Sequence, residues 1–106
     1  SSANQEDHVS MGTTSARTAA MVLDNAQKVI GIEIAAAAQA IWLRQETGEG
    51  GIDKLAPATR AAYDYIRRTA DPVDRDIIMY GYLDKFDDML KSGGLVEAVE
   101  KVAELL

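Results

Sequence analysis

The stretch from about Thr13 to Gln45 most constrains the fold of this chain, because it predicts one helix that is very long for so short a protein. It contains no Pro and is dominated by Ala, Leu, Ile, Met, Gln and Arg, whose side chains lose little entropy in a helix. About 33 residues at ~1.5 Å per residue make a rod of roughly 50 Å, longer than a compact domain of this size encloses. We therefore expect other chains, or other parts of the protein, to cover some of this helix.

The two halves of the long helix differ in polarity. In the first half, apolar residues recur at three- and four-residue steps, while Arg17, Asp24 and Lys28 lie on another face. Between Val29 and Leu43 the only ionisable side chain is Glu33. Because a helix that is apolar all round is buried all round, we expect Glu33 to be a buried, hydrogen-bonded carboxylate. The alternative is a role for Glu33 in packing between subunits.

Shorter helices are predicted after a Gly-rich loop at residues 48–56. Pro57 suits the first turn of a helix that runs to about Arg68, with Tyr63 and Ile66 facing inward. No alternating run is long enough to predict a strand. The predicted fold class is therefore all-α, with one long core helix at residues 13–47 and short peripheral helices at residues 57–106.

Two further helices are expected within that peripheral region. Asp71 suits a helix N-cap, and Pro72 suits the first helical position. A third helix is therefore predicted to begin there and to continue through Leu90. Gly93 and Gly94 interrupt it. A final amphipathic helix is predicted from Leu95 to Leu106.

Composition excludes several classes of function. The 106 residues suit one domain, and the net charge of -6 argues against binding to nucleic acid or to an anionic membrane surface. No apolar run reaches the roughly 20 residues that a membrane span needs. The absence of Cys rules out a disulfide or a thiolate metal site and is compatible with the cytoplasm, which is the location we expect.

A dense polar cluster at residues 1–12 precedes the predicted helix. It holds an amide, two carboxylates, an imidazole and a hydroxyl at Gln5, Glu6, Asp7, His8 and Ser10, with no amphipathic period, and we expect a loop used for binding or chemistry. From the residues alone, Glu6 and Asp7 also suit the positive end of a helix, and Ser10 suits a cap. A lone His beside two carboxylates lacks metal-ligand spacing, so we expect no metal site and a structural role for His8.

The sequence begins at Ser1 without an initiator Met. We therefore expect the natural protein to extend further toward its N-terminus.

Three segments of the chain closely resemble the C-terminal part of histidine ammonia-lyases, a branch of the aromatic amino-acid ammonia-lyase family. They are Asn-Gln-Glu-Asp-His-Val-Ser-Met-Gly at residues 4–12, Ile-Glu-Ile-Ala-Ala-Ala-Ala-Gln-Ala at residues 32–40 and Pro-Ala-Thr-Arg-Ala-Ala-Tyr at residues 57–63. The resemblance is specific up to about Arg68 and thin beyond it. The phenylalanine and tyrosine enzymes typically show Asn-Gln-Asp where this chain has Gln5-Glu6-Asp7, so Glu6 favours the histidine branch.

The resemblance implies an all-helical homotetramer in which long helices bundle and active sites draw on more than one subunit. It implies elimination of ammonia from L-histidine to give urocanate, with 4-methylideneimidazol-5-one as the electrophile. That group is made from an Ala-Ser-Gly tripeptide, which this chain lacks, and the tyrosine base lies in an earlier part of these enzymes. We therefore expect an ammonia-lyase in the full-length protein, inactive as this segment alone.

The resemblance places Gln5 and Glu6 in the substrate pocket and makes Glu6 the candidate catalytic residue. Glu6 would hold the imidazole or the ammonium of the substrate by a charge-assisted hydrogen bond. One alternative is a phenylalanine or tyrosine ammonia-lyase or aminomutase of the same family. A second, from a different class, is a stand-alone helical oligomerisation module in which the polar cluster is an incidental cap.

Overall fold

The computed structural model describes the backbone of residues 4–104 and the side chains of residues 11–104. The elements are α1 (Asn4–Glu46), a 3-10 turn (Ile52–Lys54), α2 (Pro57–Arg67), α3 (Met79–Ser92) and α4 (Gly94–Glu100). No strand occurs in this part of the chain, which confirms the predicted all-α class.

The long helix α1 spans 43 residues and begins earlier than the sequence predicts. It starts at Asn4, whereas we expect a loop through Gly12 and a helix from about Thr13. The physical reason is that no Pro lies in this segment and that Gln, Glu and Met propagate a helix readily. The polar cluster is therefore helical backbone from Asn4 onward, and the predicted end of the helix near residue 47 agrees with the observed end at Glu46.

The core forms where α2, α3 and α4 pack on one face of the second half of α1. Tyr63 and Ile66 of α2 are 4% exposed, so their predicted inward orientation is confirmed. Phe86 of α3 is 1% exposed and is the largest fully buried side chain of the described residues. The buried core residues are Ala35, Ala38, Tyr63, Ile66, Ala70, Phe86, Met89 and Leu95.

The other faces of α1 are exposed in the described part of the chain. Val29 is 64% exposed and Ile32 is 51% exposed, and Glu33 is also exposed. The expectation that Glu33 is a buried, hydrogen-bonded carboxylate is therefore wrong within this chain. Only the face that carries Ala35 and Ala38 turns toward the short helices, because three short helices cannot surround a rod of this length. The alternative role of Glu33 in packing between subunits stays a prediction.

Residues 71–78, which we call the strap, form no helix where the sequence predicts the start of one, so that prediction is wrong. The side-chain amide of Gln39 makes hydrogen bonds with both the carbonyl and the N–H of Val73. Gln39 Nε2 donates to the Val73 carbonyl at 2.7 Å, and the Val73 N–H donates to Gln39 Oε1 at 2.9 Å. The Tyr82 hydroxyl also donates to the Asp71 carbonyl at 2.6 Å. These long-range bonds replace the local capping that the sequence suggests.

The last two helices are separated where predicted. Gly93 adopts a left-handed conformation with φ of 75°, which glycine reaches without steric cost and which ends α3. The final helix, α4, ends at Glu100, earlier than the predicted end at Leu106. Residues 105 and 106 lie outside the described part of the chain.

Candidate functional site

The predicted site residues Gln5 and Glu6 lie in the first described turn of α1. Their side chains, and those of Asp7, His8 and Ser10, lie outside the described residues. The assignment of Gln5 and Glu6 to a substrate pocket therefore stays a prediction.

The backbone does locate this cluster relative to the rest of the fold. All residues from Met11 to Leu23 are exposed, and the first side-chain contacts between α1 and another helix come from Asp24 and Gln27. Eighteen residues separate Glu6 from Asp24, and at ~1.5 Å per residue this is about 27 Å along a straight helix. A pocket at Glu6 therefore needs walls that α2, α3 and α4 of this chain do not supply.

A group of charged and amide side chains joins α1 to α3 where α1 leaves the core. This α1–α3 charge cluster consists of Asp24, Gln27, Lys28, Asp87 and Lys91. Gln27 Nε2 donates to Asp87 Oδ1 at 2.9 Å, and Lys91 Nζ lies 3.0 Å from Asp87 Oδ2. Lys28 Nζ donates to Asp24 Oδ2 at 2.9 Å, and Lys91 Nζ lies 3.9 Å from Asp24 Oδ1. Each carboxylate therefore has a cationic partner, and the cluster links α1 to α3.

The pKa values in the cluster follow from these bonds. The hydrogen bonds from Gln27 and Lys91 hold the pKa of Asp87 below its ordinary value of 3.8. The hydrogen bond to Asp87 raises the pKa of Lys91 above 10.5, and the hydrogen bond to Asp24 does the same for the pKa of Lys28. All three groups therefore stay charged at neutral pH, which suits ion pairing rather than proton transfer.

Replacing Asp87 with Asn is expected to weaken the acid dependence of stability. Because the folded-state pKa of Asp87 is lowered, its carboxylate stabilises the fold above the unfolded-state pKa of about 4. This contribution is lost as pH falls through the lower folded-state value. The measurement is the Tm of the parent, Asp87→Asn and the exposed control Asp88→Asn at about pH 6 and pH 3. The parent and Asp88→Asn should lose more Tm than Asp87→Asn, and equal losses in all three would contradict the assignment.

The residues present do not fit the electrophile that the resemblance implies. That group forms from Ala-Ser-Gly, and no such tripeptide occurs in the sequence. Within residues 11–104, no group of three or more His, Cys, Asp or Glu side chains is arranged to hold a metal ion. None of the helices in the described part of the chain combines the length and the apolar character that crossing a membrane requires.

Sequence reasoning missed the side chains that fix the tertiary structure around α1. Gln27 and Gln39 look like ordinary helix formers, yet each bonds a residue more than thirty positions away. Arg67 lies in the last turn of α2, yet it donates to the carbonyls of Ala38 and Ala70, and its guanidinium lies 4.9 Å from the Tyr63 ring centroid. The local signals are the four-residue spacings of Asp24 and Lys28 and of Asp87 and Lys91, which are typical of helical ion pairs.

Known proteins resemble the chain along nearly its whole length. It is 47% identical to the histidine ammonia-lyase of Symbiobacterium thermophilum over 97% of the chain and 19% of that relative. It is 48% identical to the histidine ammonia-lyase of Clostridium tetani over 99% of the chain and 20% of that relative. For histidine ammonia-lyase 1 of Fusobacterium nucleatum the identity is 44%, over 94% of the chain and 18% of that relative.

The chain spans about a fifth of the length of these relatives. No solved structure matches it. The family model for aromatic amino acid lyases matches residues 1–68, which include the polar cluster, the whole of α1 and the whole of α2. Since this match covers more than half of the chain and agrees with the three relatives, the chain belongs to the aromatic amino acid lyase family.

Proposed function

We propose that this chain is part of a histidine ammonia-lyase, which eliminates ammonia from L-histidine and releases urocanate. The observation that carries the proposal is the identity of 44–48% to relatives of that name over at least 94% of the chain. The names of these relatives favour histidine over phenylalanine or tyrosine as the substrate. They favour neither an aminomutase nor a stand-alone helical module.

In this proposal Gln5 and Glu6 line the substrate pocket. The Glu6 carboxylate accepts a charge-assisted hydrogen bond from the imidazole or the ammonium of the substrate, a contact worth about 1.5–3 kcal/mol. The position of Glu6, about 27 Å along α1 from the contacts with α3, supports a pocket whose other walls come from elsewhere. The active site would then be assembled from more than this segment.

The proposed electrophile is 4-methylideneimidazol-5-one, which would supply the electron-accepting centre of the elimination. The residues of this chain do not fit it, because the chain has no Ala-Ser-Gly from which it could form. We assign the electrophile to another part of the full-length polypeptide. The contribution of this chain is to bind and orient the substrate through Gln5 and Glu6.

We further propose that the full-length enzyme is a cytoplasmic homotetramer in which α1 is an interface helix. The apolar residues that stay exposed on α1 support an interface. They are Met11, Met21, Val22, Leu23, Val29, Ile30, Ile32 and Leu43. Stable interfaces bury roughly 800 Å² on each partner and have apolar centres, which a helix of this length and composition can provide.

The test of the proposed function is a substrate panel for the full-length polypeptide that includes this chain. We expect urocanate to form from L-histidine, and deamination of L-phenylalanine and L-tyrosine to be at least about 100-fold slower in kcat/KM. Each product has its own ultraviolet absorbance, so one spectrophotometric assay covers the panel. Comparable rates with phenylalanine or tyrosine would assign the chain to another branch of the family.

A further inference from the structure

The loop that follows α1 folds back and forms one side of an open cavity with a cationic lining. The cavity has a volume of about 210 Å³. The ionisable residues of its lining are Arg44 and Lys54, and both carry positive charge. Ile41 and Leu55 add an apolar side. The lining is therefore positive although the net charge of the chain is -6.

Two glycines allow the loop to approach its neighbours closely. Gly50 has φ of 92°, and a Cβ built on it would lie 2.8 Å from Lys54 Cδ. Gly51 is buried, and a Cβ there would overlap the side chain of Gln45. Gln45 Oε1 accepts a hydrogen bond from the Ile52 N–H at 3.1 Å, which holds the loop in place. The wall of the cavity is therefore backbone at both glycines.

The backbone N–H groups of Gly50 and Gly51 have no hydrogen-bond partner among the described residues. The neighbouring N–H groups do have partners: Glu49 donates to the Arg44 carbonyl and Ile52 donates to Gln45. Gly51 is buried and Gly50 is half-buried, and both line the cavity. A backbone N–H without an acceptor is costly in such a place, and an anion in the cavity would lie beside both residues.

The charges around the cavity favour an anion. Within the described part of the chain, no carboxylate lies within 4.0 Å of the cationic groups of Arg44 or Lys54, whereas Arg60 pairs with Asp64 at 3.1 Å. Three carbonyls at the C-terminal end of α1 are also occupied by donors of the loop. The carbonyls of Leu43, Arg44 and Gln45 accept hydrogen bonds from Thr47, Glu49 and Gly48.

We propose that this cavity binds a small oxyanion, held by Arg44, Lys54 and the N–H groups of Gly50 and Gly51. Guanidinium, ammonium and oriented backbone N–H groups together are a donor set that phosphate and carboxylate groups prefer. The volume lies below the roughly 300–1,000 Å³ of sites for drug-sized ligands, so the ligand is a small phosphate or carboxylate. This site stands apart from the proposed pocket at Glu6 and does not depend on the proposed reaction.

Titration of the 106-residue chain, followed through its backbone amide NMR resonances, tests this proposal. Inorganic phosphate and acetate are added separately at constant ionic strength, with chloride as the reference anion. We expect saturable shifts at Gly50 and Gly51 with at least one of the two anions, and a response to only one anion would distinguish phosphate from carboxylate recognition.

Charge-removing variants identify the residues that hold the anion. Arg44→Gln and Lys54→Gln should each weaken binding by about tenfold, whereas Lys85→Gln, an exposed lysine of α3, should leave it unchanged. Lys54 is exposed in the loop, so Lys54→Gln gives a readout even if Arg44→Gln unfolds. Shifts no larger than those with chloride would overturn the proposal. Equal weakening by Lys85→Gln would do the same, because it would indicate general charge attraction.

Discussion

Replacing Glu6 with Gln in the full-length enzyme is expected to lower the turnover of L-histidine by 100-fold or more. Gln keeps the size of the side chain and removes its charge, so the charge-assisted hydrogen bond to the substrate is lost. A 100-fold loss corresponds to about 2.7 kcal/mol in the activation barrier, within the range of such a bond. The rate of urocanate formation, followed by its absorbance, is the measurement.

The neighbouring carboxylate offers a matched control. Glu6 and Asp7 both lie in the first described turn of α1, where a negative charge is worth typically 0.3–1 kcal/mol to the helix. If Glu6 has only this role, Glu6→Gln and Asp7→Asn should lower Tm by similar amounts and leave turnover within a few-fold of the parent. A role in the pocket instead predicts a large loss of turnover for Glu6→Gln alone. Retained turnover in Glu6→Gln would remove Glu6 from the chemistry.

Replacing Phe86 with Ala is expected to cost about 3–5 kcal/mol of folding free energy, the largest stability effect of any single truncation in the described core. Phe86 is 1% exposed, and its ring centroid lies 5.4 Å from that of Tyr82. Truncation would leave a cavity between α1 and α3. Because a domain of this size is stable by only about 5–15 kcal/mol, the variant should lose much of its stability. Urea denaturation followed by far-UV circular dichroism measures the change.

Tyr80 provides the control on the same helix, since it is also aromatic but is 76% exposed. Tyr80→Ala should change the free energy of unfolding by no more than about 0.5 kcal/mol. Phe86→Leu, which keeps most of the apolar volume, should fall between the parent and Phe86→Ala. Similar denaturation midpoints for Phe86→Ala and Tyr80→Ala would show that the interface of α1 and α3 does not carry the stability of the fold.

Local chemistry accounts for the elements that the sequence predicts correctly. Pro57 starts α2 because a missing N–H and a restricted φ suit the first helical turn. Gly48 and Gly93 follow the ends of α1 and α3 because both adopt positive φ. The orientation of Tyr63 and Ile66 follows from helical spacing alone. In each case the physical cause lies within a few residues of the effect.

The predictions that the structure contradicts have a different cause. They concern features that depend on which distant parts of the chain contact a residue or leave it uncovered. Asp71 and Pro72 form a reasonable local start for a helix, but Gln39, more than thirty residues earlier, binds the backbone of Val73 and the strap forms no helix. Glu33 sits in an apolar run that suggests burial, yet it is exposed in the described part of the chain. No periodicity in the sequence reports either outcome.

The candidate sites also differ in how much the sequence predicts about them. The residue types of Gln5 and Glu6, and their resemblance to the family motif, came from the sequence, and their side-chain contacts stay a prediction. The oxyanion cavity could not be predicted, because Arg44 and Lys54 are ten positions apart and meet only when the loop folds back over its glycines. Gly50 and Gly51 themselves suggested no more than the end of a helix.

The sequence by itself determined the all-α class, the long helix and the family to which the chain belongs, since helix propensity, glycine and proline placement and motif identity are local properties. The tertiary structure alone decided which face of α1 is covered, where the strap lies and how the α1–α3 charge cluster forms. These features depend on hydrogen bonds and packing between residues far apart in the chain, such as Gln27 with Asp87, for which single-chain patterns carry no signal.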